Sequence, residues 1–393
     1  MAETVRVKNT GLRGVTVADS KISFIDGETG ILIYRGFRIE ELAAKSTFME
    51  TAYLLLHGTL PSRFELDYFS REITKARRVP GFILDNMKKW PKDANPMHVL
   101  MAAVPLLAMA DPTPGAASRS AVAGRAMGLI ARLPTLTAAW QRIRNRLEPV
   151  EPDESLDHAA NFLWMLTGQK PDPAAARDLD VCLILHADHT FNASTFACRE
   201  VVSTMADIYA GVTAGLGALS GSLHGGANTE VMKMLLELEN EPDIPGWVKK
   251  RLADGGKIMG LGHAVYKTGD PRAKILQEIG ARLDRDLGLK WSDLSNRIET
   301  AALAEFASRG KTGIQPNVDF RSAAVYFMMG IPPDLMTPIF AMSRIAGWSA
   351  HIIEEVFAEA QEKPALYRPQ ADYVGDYCGL MGCQYQDLGQ RDK

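Results

Sequence analysis

The sequence has few cysteines and almost no excess of charge. The four cysteines among its 393 residues are Cys182, Cys198, Cys378 and Cys383, and their spacing matches no paired CxxC zinc framework. In a chain of this size we expect them to be reduced thiols of a cytosolic protein. The net charge of −3 gives no indication of a nucleic-acid-binding or membrane-binding surface.

The sequence also lacks a long apolar segment. The most apolar stretch, Val99 to Ala110, is interrupted by Pro105 and is far shorter than the roughly 20 residues that a membrane helix requires. The first residues place no apolar run behind a basic end, so we expect no secretory signal. With 46% apolar and 23% charged residues, the composition is that of a soluble globular protein, which we expect to be cytoplasmic. The length predicts roughly two to three domains.

Strand patterns are scarce. Residues 21–35 contain two short β-rich runs around a glycine-bearing turn, which predicts a hairpin. Helical spacing follows Gly36, and capping signatures begin helices at Thr47 and Ser62. Asn95, followed by a proline, is a further helix start. No strand pattern recurs, so we expect an all-α fold with a small N-terminal β-hairpin.

Several boundaries can be predicted in the rest of the chain. The segment from Val122 to Leu147 is helical in composition, with Pro134 as a break. Asn192 caps a helix that runs to about residue 206, and Asp207 begins the next one. Residues 240–256, which contain two prolines and a Gly-Gly pair, indicate a loop region. We expect the tail from residue 377 to be irregular.

Three segments combine ionisable side chains with glycine or proline. They are residues 222–228 (SLHGGAN), 260–272 (GLGHAVYKTGDPR) and 316–320 (PNVDF). Such segments are typical of loops, which present side chains to a ligand more freely than a packed helix face does. Four of the eight histidines lie between residues 186 and 263, and these are His186, His189, His224 and His263.

These three segments, in this order, resemble the signature motifs of citrate synthases. The resemblance extends to residues 24–36, to residues 344–348 and to Arg368-Pro369, and therefore covers nearly the whole chain. It implies a citrate synthase-like two-domain helical fold. The larger domain would comprise residues 1–225 and 332–393, and the smaller domain residues 226–331.

The resemblance implies a condensation of acetyl-CoA with oxaloacetate. Joining the methyl carbon of a thioester to a ketone requires a base for the C–H proton, a donor to the enolate oxygen and an acid for the ketone oxygen. The matching residues are Asp319 as the base, His224 as the donor and His263 as the acid. The structural alternative for Asp319 is a helix cap or an ion-pair partner.

The resemblance also implies the binding residues. His189, Arg272, Arg344 and Arg368 match the oxaloacetate-binding positions, and arginine suits a dicarboxylate because its planar fork binds carboxylates at two points. Arg368 would reach the site of the other subunit, which implies a homodimer with shared active sites. Coenzyme A, as part of the substrate, would contact the main chain at Gly260, Leu261, Gly262 and Ala264 and the side chains of Lys267 and Lys311. No further cofactor and no metal are implied.

Three questions remain open from the sequence. The helix after Asp207 is rich in glycine and alanine, and these small residues favour either the implied dimer interface or tight packing within one subunit. Ser322-Ala323 and the segment 328–330 are similar to 2-methylcitrate synthases, which use propionyl-CoA. Arg321 departs from the family pattern. We expect its side chain to point into solvent, whereas an inward orientation would lower the pKa of Asp319.

Two rival interpretations belong to other classes. A metal hydrolase could use the HADH segment at residues 186–189 with His224 and His263, but no HExxH or comparably spaced ligand set is present. A non-catalytic relative is the second rival. The retention of both histidines, of Asp319 and of the three arginines argues against it.

Overall fold

The structure is a computed structural model, and it describes residues 7, 11–12, 14–115, 118–262, 265–375 and 379–391. Within these residues the chain forms sixteen α-helices and one small antiparallel sheet, which confirms the expected all-α class. None of the described helices combines the length and the apolar character required to cross a lipid bilayer. His263, Ala264 and Cys378 lie outside the described residues.

The helices follow one another with short connections. Their bounds are α1 Ile39–Lys45, α2 Phe48–His57, α3 Arg63–Ala76, α4 Gly81–Lys89, α5 Pro96–Ala110, α6 Arg119–Arg144, α7 His158–Thr167, α8 Pro173–His186, α9 Ala193–Val202, α10 Ile208–Leu219, α11 Ala227–Glu237, α12 Ile244–Ala253, α13 Pro271–Leu287, α14 Trp291–Ser308, α15 Val318–Met328 and α16 Met336–Val356. Two short 3-10 helices, Pro333–Leu335 and Leu388–Gln390, complete the helical structure of the described chain.

The N-terminal sheet has three strands, β1 Ser23–Asp26, β2 Ile31–Tyr34 and β3 Phe37–Arg38. The hairpin of β1 and β2 is confirmed, with Ser23 opposite Tyr34. The third strand was not predicted, because a two-residue strand leaves no pattern of alternation in the sequence.

Helix starts with a capping residue are confirmed. Thr47 and Ser62 each form a complete capping box with the glutamate three residues later. Asn95 caps α5, and the side chains of Asn192 and Asp207 accept backbone N–H groups at the starts of α9 and α10. These caps use local contacts only, so they can be read from the sequence.

Two predicted interruptions are wrong. Pro134 lies inside the continuous helix α6, where Leu133, Leu136 and Trp140 are buried. Burial of this segment outweighs the roughly 3 kcal/mol that an internal proline costs. Within residues 240–256, Pro245 lies in the first turn of α12, because its fixed φ angle and missing N–H suit a helix start.

Helix α16 forms the centre of the larger helical group. Every residue from Met336 to Glu355 is buried, and α2, α6, α8, α9 and α10 pack around it. A helix that is buried on all sides belongs to the interior of a large core. Helices α11 to α15 pack mainly against one another and form a second group.

The small residues of α10 allow close packing within the protomer. A Cβ atom on Gly215 would lie 2.5 Å from the Sγ atom of Cys198, and one on Gly211 would lie 2.7 Å from Val202. These two glycines therefore let α10 approach α9. Cys182 and Cys198 are free and buried, whereas Cys383 in the exposed tail is disulfide-bonded. The expectation of a reduced thiol is therefore wrong for Cys383. This residue lies in the exposed tail, whereas Cys182 and Cys198 are enclosed by packed helices that keep other cysteines away.

Candidate active site

Two of the sequence motifs meet through main-chain hydrogen bonds. The N–H of Gly262 donates to the carbonyl of Gln315 at 2.8 Å, and the N–H of Asn317 donates to the carbonyl of Gly260 at 3.0 Å. Gly260 has a φ angle of +77°, and a Cβ atom there would lie 2.8 Å from the Cβ atom of Phe320. Both the backbone angle and the close approach therefore require glycine at this position.

Asp319 lies in the first turn of α15, which Asn317 caps. Its Oδ1 atom is buried and accepts no hydrogen bond from any described residue. Burial raises the pKa of Asp319 to about 7, although Arg272 and Arg344 lower it. The interpretation of Asp319 as a cap or an ion-pair partner is therefore not favoured. A carboxylate with this pKa can accept and release a proton near neutral pH.

His224 precedes α11 and contacts the start of α9. Its Nε2 atom is 2.8 Å from the Oγ atom of Ser194 and 3.3 Å from the backbone nitrogen of Ser194. Because a backbone N–H can only donate, Nε2 accepts and the neutral ring carries its hydrogen on Nδ1. Burial, with a smaller effect from Arg344, lowers the pKa of His224 to about 4. His224 is therefore a neutral hydrogen-bond donor at physiological pH.

Ser194 is a positioning residue that the sequence analysis missed. Its hydroxyl oxygen also lies 3.2 Å from the Nε1 atom of Trp348, which donates to it, and 2.7 Å from the Oδ1 atom of Asn192. Asn192 was predicted only as a helix cap. The sequence signal for Ser194 is its place in the first turn of a capped helix, where backbone N–H groups remain available.

Arg344 is almost fully buried in α16, with 1% of its surface exposed. Its Nε atom donates to the carbonyl of His186 at 2.7 Å, and Nη1 has no hydrogen-bond partner in the described part of the chain. Burial lowers the pKa of Arg344 to about 10, so the group remains a cation at neutral pH. A buried cation with an N–H group that is not hydrogen-bonded within the described chain can bind an anion.

Arg272 begins α13 and is buried beside Asp270. Its Nε atom is 2.9 Å from Oδ1 of Asp270, and its Nη2 atom is 2.7 Å from Oδ2. Burial alone would lower the pKa of Arg272, but the Asp270 carboxylate raises it above its ordinary value. The sequence analysis missed Asp270 as a partner, although its position before a proline at a helix start marks it as a cap.

The remaining predicted binding residues differ in their surroundings. His189 follows α8, is buried, and has its Nε2 atom 3.2 Å from the hydroxyl oxygen of Tyr266. Arg368 lies beyond α16 and is exposed. Arg272 and Arg344 lie close enough to Asp319 to affect its pKa, and His189 contacts Tyr266, which is itself close to Arg272. Arg368 of the same protomer is not among the groups that affect the pKa of Asp319.

A cavity of about 780 Å³ opens beside the segment at 260–262. Three basic side chains contribute to its lining, Lys257, Arg309 and Lys311. Lys267 is not among its lining residues and forms an exposed ion pair with Glu28. Of the two predicted lysines, only Lys311 therefore borders the cavity, and the sequence analysis missed Lys257 and Arg309.

Arg321 does not point into solvent, so that expectation is wrong. The side chain is buried, donates to Asn296 at 2.7 Å and forms an ion pair with Glu299. Asn296 and Glu299 lie one turn apart on α14, where they neutralise and hold the guanidinium. Arg321 is accordingly not among the groups that change the pKa of Asp319.

The histidines of the HADH segment have separate surroundings. The Nδ1 atom of His186 bonds to the carbonyl of Cys182 at 2.8 Å, and its ring packs against Phe340. No group of three or more histidine, cysteine, aspartate or glutamate side chains suited to a metal ion occurs in the part of the chain that the structure describes.

Comparisons with known proteins identify the family to which the chain is similar. The family described as "Citrate synthase, C-terminal domain" matches residues 11–370. The chain is 44% identical over 368 residues to the citrate synthase of Synechocystis sp., covering 93% of this chain and 91% of that protein. It is 41% identical over 369 residues to the 2-methylcitrate synthase of Mycobacterium tuberculosis, covering 93% and 90%.

Solved structures show the same similarity. Citrate synthase from Pyrobaculum aerophilum matches with a TM-score of 0.87 and 39% identity, covering 99% of this chain and 100% of that chain. The citrate synthase of Thermoplasma acidophilum, in a ternary complex with carboxymethyl coenzyme A and oxaloacetate, matches with a TM-score of 0.88 and 32% identity, covering 96% and 98%. The chain therefore belongs to the citrate synthase family.

Proposed function

We propose that the protein condenses acetyl-CoA with oxaloacetate and then hydrolyses citryl-CoA to citrate and free CoA, as in the tricarboxylic acid cycle. The observation that carries this proposal is Asp319, a carboxylate with a pKa of about 7 beside two buried arginines. A base near neutrality and cations for a dicarboxylate are the groups that this reaction requires. The Thermoplasma ternary complex, which contains oxaloacetate and a coenzyme A derivative, supports the same choice of substrates.

The described residues suggest a role for each group. Asp319 removes a proton from the methyl carbon of acetyl-CoA, and Nδ1–H of His224 donates to the enolate oxygen as charge develops there. The enolate carbon then attacks the ketone carbon of oxaloacetate, whose oxygen takes a proton from His263. Water cleaves the thioester of citryl-CoA. The role of His263 rests on the family resemblance, since this residue lies outside the described chain.

Positive charge would fix the two substrates in different places. Arg344 and Arg272 bind the carboxylates of oxaloacetate, with His189 beside them. The cavity at 260–262 takes coenzyme A, and its basic lining suits the phosphates of that molecule. No other cofactor is part of this proposal.

The second candidate function is that of a 2-methylcitrate synthase, which uses propionyl-CoA instead of acetyl-CoA. The similar identities to a citrate synthase and to a 2-methylcitrate synthase, 44% and 41%, favour neither strongly. Ser322 and Ala323 are fully buried and do not line the cavity, so their likeness to 2-methylcitrate synthases does not by itself identify the acyl chain.

Steady-state rates with both thioesters test the proposal directly. We expect kcat/KM to be higher for acetyl-CoA than for propionyl-CoA, by about 10- to 200-fold if the pocket discriminates by one methylene group. A ratio below one would assign the protein to the second candidate. No release of CoA with either thioester in the presence of oxaloacetate would overturn both.

We further propose that the protein is a cytoplasmic homodimer with shared sites. One face of α10 is only partly covered within the protomer and consists of small residues, namely Ala210, Thr213, Ala214, Gly217 and Ala218. Met109 on α5 and Met205 before α10 are exposed at 76% and 62%. A second copy placed there would cover these side chains and would bring Arg368 to its partner's site.

Two domains, residues 1–225 with 332–393 and residues 226–331, would close on oxaloacetate. Arg344 lies in the larger of them, and Arg272 and Asp319 lie in the smaller. A dicarboxylate held by both arginines binds the closed form better than the open form and therefore favours closure. Oxaloacetate would bind first and acyl-CoA second, and closure would keep water from the enolate.

A further inference from the structure

Tyr266 lies in the segment 260–272 and has no role in the reaction proposed above. Its hydroxyl oxygen is 3.2 Å from Nε2 of His189, and the two rings meet edge to face with their centroids 5.6 Å apart. Both side chains are buried. We propose that Tyr266 is a positioning residue that holds His189 in the orientation and tautomer needed to bind oxaloacetate. This inference rests on the proposed function.

The main chain around Tyr266 is fixed from outside the site. The N–H of Lys267 donates to the carbonyl of Gly27 at 2.9 Å, in the turn between β1 and β2. A Cβ atom on Gly27 would lie 2.2 Å from the carbonyl oxygen of Val265, so only glycine permits this contact. The turn therefore places the hydroxyl of Tyr266 at a defined position.

The main chain around His189 is held independently of its ring. The N–H of Thr190 donates to the Oγ atom of Ser23 and to the Oδ2 atom of Asp188, each at 3.1 Å. The hydroxyl of Tyr34 donates to the carbonyl of Asp188 at 2.7 Å. These contacts fix the backbone and leave ring rotation to be set by the neighbours of the imidazole, among which is Tyr266.

The hydroxyl of Tyr266 can act as the donor in this pair. Burial raises the pKa of Tyr266 above its ordinary value, so the hydrogen stays on the oxygen at neutral pH. A hydroxyl that donates to Nε2 leaves the hydrogen of the neutral imidazole on Nδ1. Nδ1–H of His189 is then a donor to a carboxylate or carbonyl oxygen of oxaloacetate.

The hydrogen bond also joins the two proposed domains. His189 follows α8 in the larger domain, and Tyr266 belongs to the smaller one. The bond therefore forms only when the domains are close to each other, so the correct orientation of His189 accompanies closure. In the closed form, an imidazole held in one orientation keeps its contact with oxaloacetate at a lower entropic cost than a freely rotating ring.

The variant Tyr266→Phe tests this inference because it removes the hydroxyl and keeps the ring. We expect KM and Kd for oxaloacetate to rise about five- to tenfold, with kcat within about twofold of wild type. Tyr53→Phe is the matched control, since it removes a tyrosine hydroxyl bonded to Glu65 between α2 and α3. The control should leave KM and Kd for oxaloacetate unchanged.

Three outcomes would overturn the inference. Unchanged KM and Kd would limit Tyr266 to packing, and lower values would mean that the hydroxyl competes with oxaloacetate for Nε2. Equal increases in KM for oxaloacetate and equal decreases in melting temperature in both tyrosine variants would indicate a general structural effect. Calorimetry of oxaloacetate binding to the wild-type protein tests the proposed function separately, so failure of that function is distinguishable from failure of the role of Tyr266.

Discussion

The guanidinium of Arg344 lies over the ring of Phe340, with Cζ 4.7 Å from the ring centroid. The same ring contacts the imidazole of His224, with the centroids 6.3 Å apart. Phe340 and Arg344 are one turn apart on the buried helix α16, so the aromatic face supports the cation from one side. One aromatic side chain therefore contacts both Arg344, the proposed oxaloacetate-binding cation, and His224, the proposed donor to the enolate.

Arg344→Met should separate substrate binding from stability. Methionine fills a similar volume without charge, so we expect KM for oxaloacetate to rise by about 30-fold or more, because a buried charge contact costs about 2–5 kcal/mol to lose. The free energy of unfolding should fall by less than about 1 kcal/mol, since an incompletely paired buried cation is removed. Urea unfolding and steady-state kinetics measure the two effects.

Arg344→Lys is the companion variant. It keeps the charge and loses the planar fork, so its KM should lie between those of wild type and Arg344→Met. An unchanged KM in both variants would remove Arg344 from the binding site.

Asp319→Asn should abolish most of the condensation. The amide has nearly the same shape but cannot accept the proton, so kcat should fall by about 10²–10⁴-fold while oxaloacetate binding changes little. In the wild type, kcat should increase as the pH rises through about 7, because the base acts in its ionised form. Rates within tenfold of wild type at pH 8 would contradict the role of Asp319 as the base.

Asp319→Asn should also increase the free energy of unfolding at high pH. The folded-state pKa of Asp319, about 7, is above the ordinary value of 3.8, so the folded protein holds a proton that the unfolded chain releases. Its contribution to stability is fully present below about pH 4 and is lost as the pH rises to about 7. An asparagine does not ionise, so the Asp319→Asn variant keeps its free energy of unfolding as the pH rises through about 7.

Urea unfolding at two pH values checks the sign of this effect. The free energy of unfolding of the variant should exceed that of wild type by up to about 4 kcal/mol at pH 8, given about 1.4 kcal/mol for each pKa unit between 3.8 and about 7. The two proteins should differ little at pH 4. A variant less stable than wild type at pH 8 would show that the carboxylate is not destabilised by burial.

Substitutions of Lys311 and Lys267 provide a test variant and a matched control for the proposed coenzyme A cavity. Lys311 lines the cavity, whereas Lys267 forms an exposed ion pair with Glu28. We expect Lys311→Ala to raise KM for acetyl-CoA about 3- to 30-fold by removing a charge-assisted contact to phosphate. Lys267→Ala should change it by less than about twofold. The reverse order would place coenzyme A near the β1–β2 turn instead of in this cavity.

Mixed dimers can test the proposed sharing of sites. Arg368→Ala and Asp319→Asn should each be nearly inactive alone, because each damages both sites of a homodimer. After subunit exchange, a heterodimer contains one site with both Arg368 and Asp319 intact, and the activity of an equimolar mixture should return to about a quarter of the wild-type value. This estimate assumes random pairing of subunits with additive sites.

Labelled subunits would verify the exchange in this experiment. Exchange without recovery of activity would place Arg368 in the site of its own subunit or outside any site.

The sequence by itself determined the features that depend on neighbours along the chain. Thr47, Asn95 and Asp207 begin helices because each side chain accepts hydrogen bonds from backbone N–H groups two or three residues later. The alternation of apolar residues around a glycine turn was sufficient to predict the hairpin of β1 and β2. The motifs containing His224 and Asp319 were sufficient to identify the family, and the comparisons confirm that identification.

The tertiary structure decided every feature that depends on residues far apart in the sequence. Ser194 meets His224 across 30 positions, and Tyr266 meets His189 across 77. Arg321 is buried because Glu299 faces it from another helix, although its sequence neighbours gave no sign of this ion pair. Local patterns record hydrogen bonds within a few residues, whereas burial and the resulting pKa shifts arise only when distant segments exclude water from the same volume.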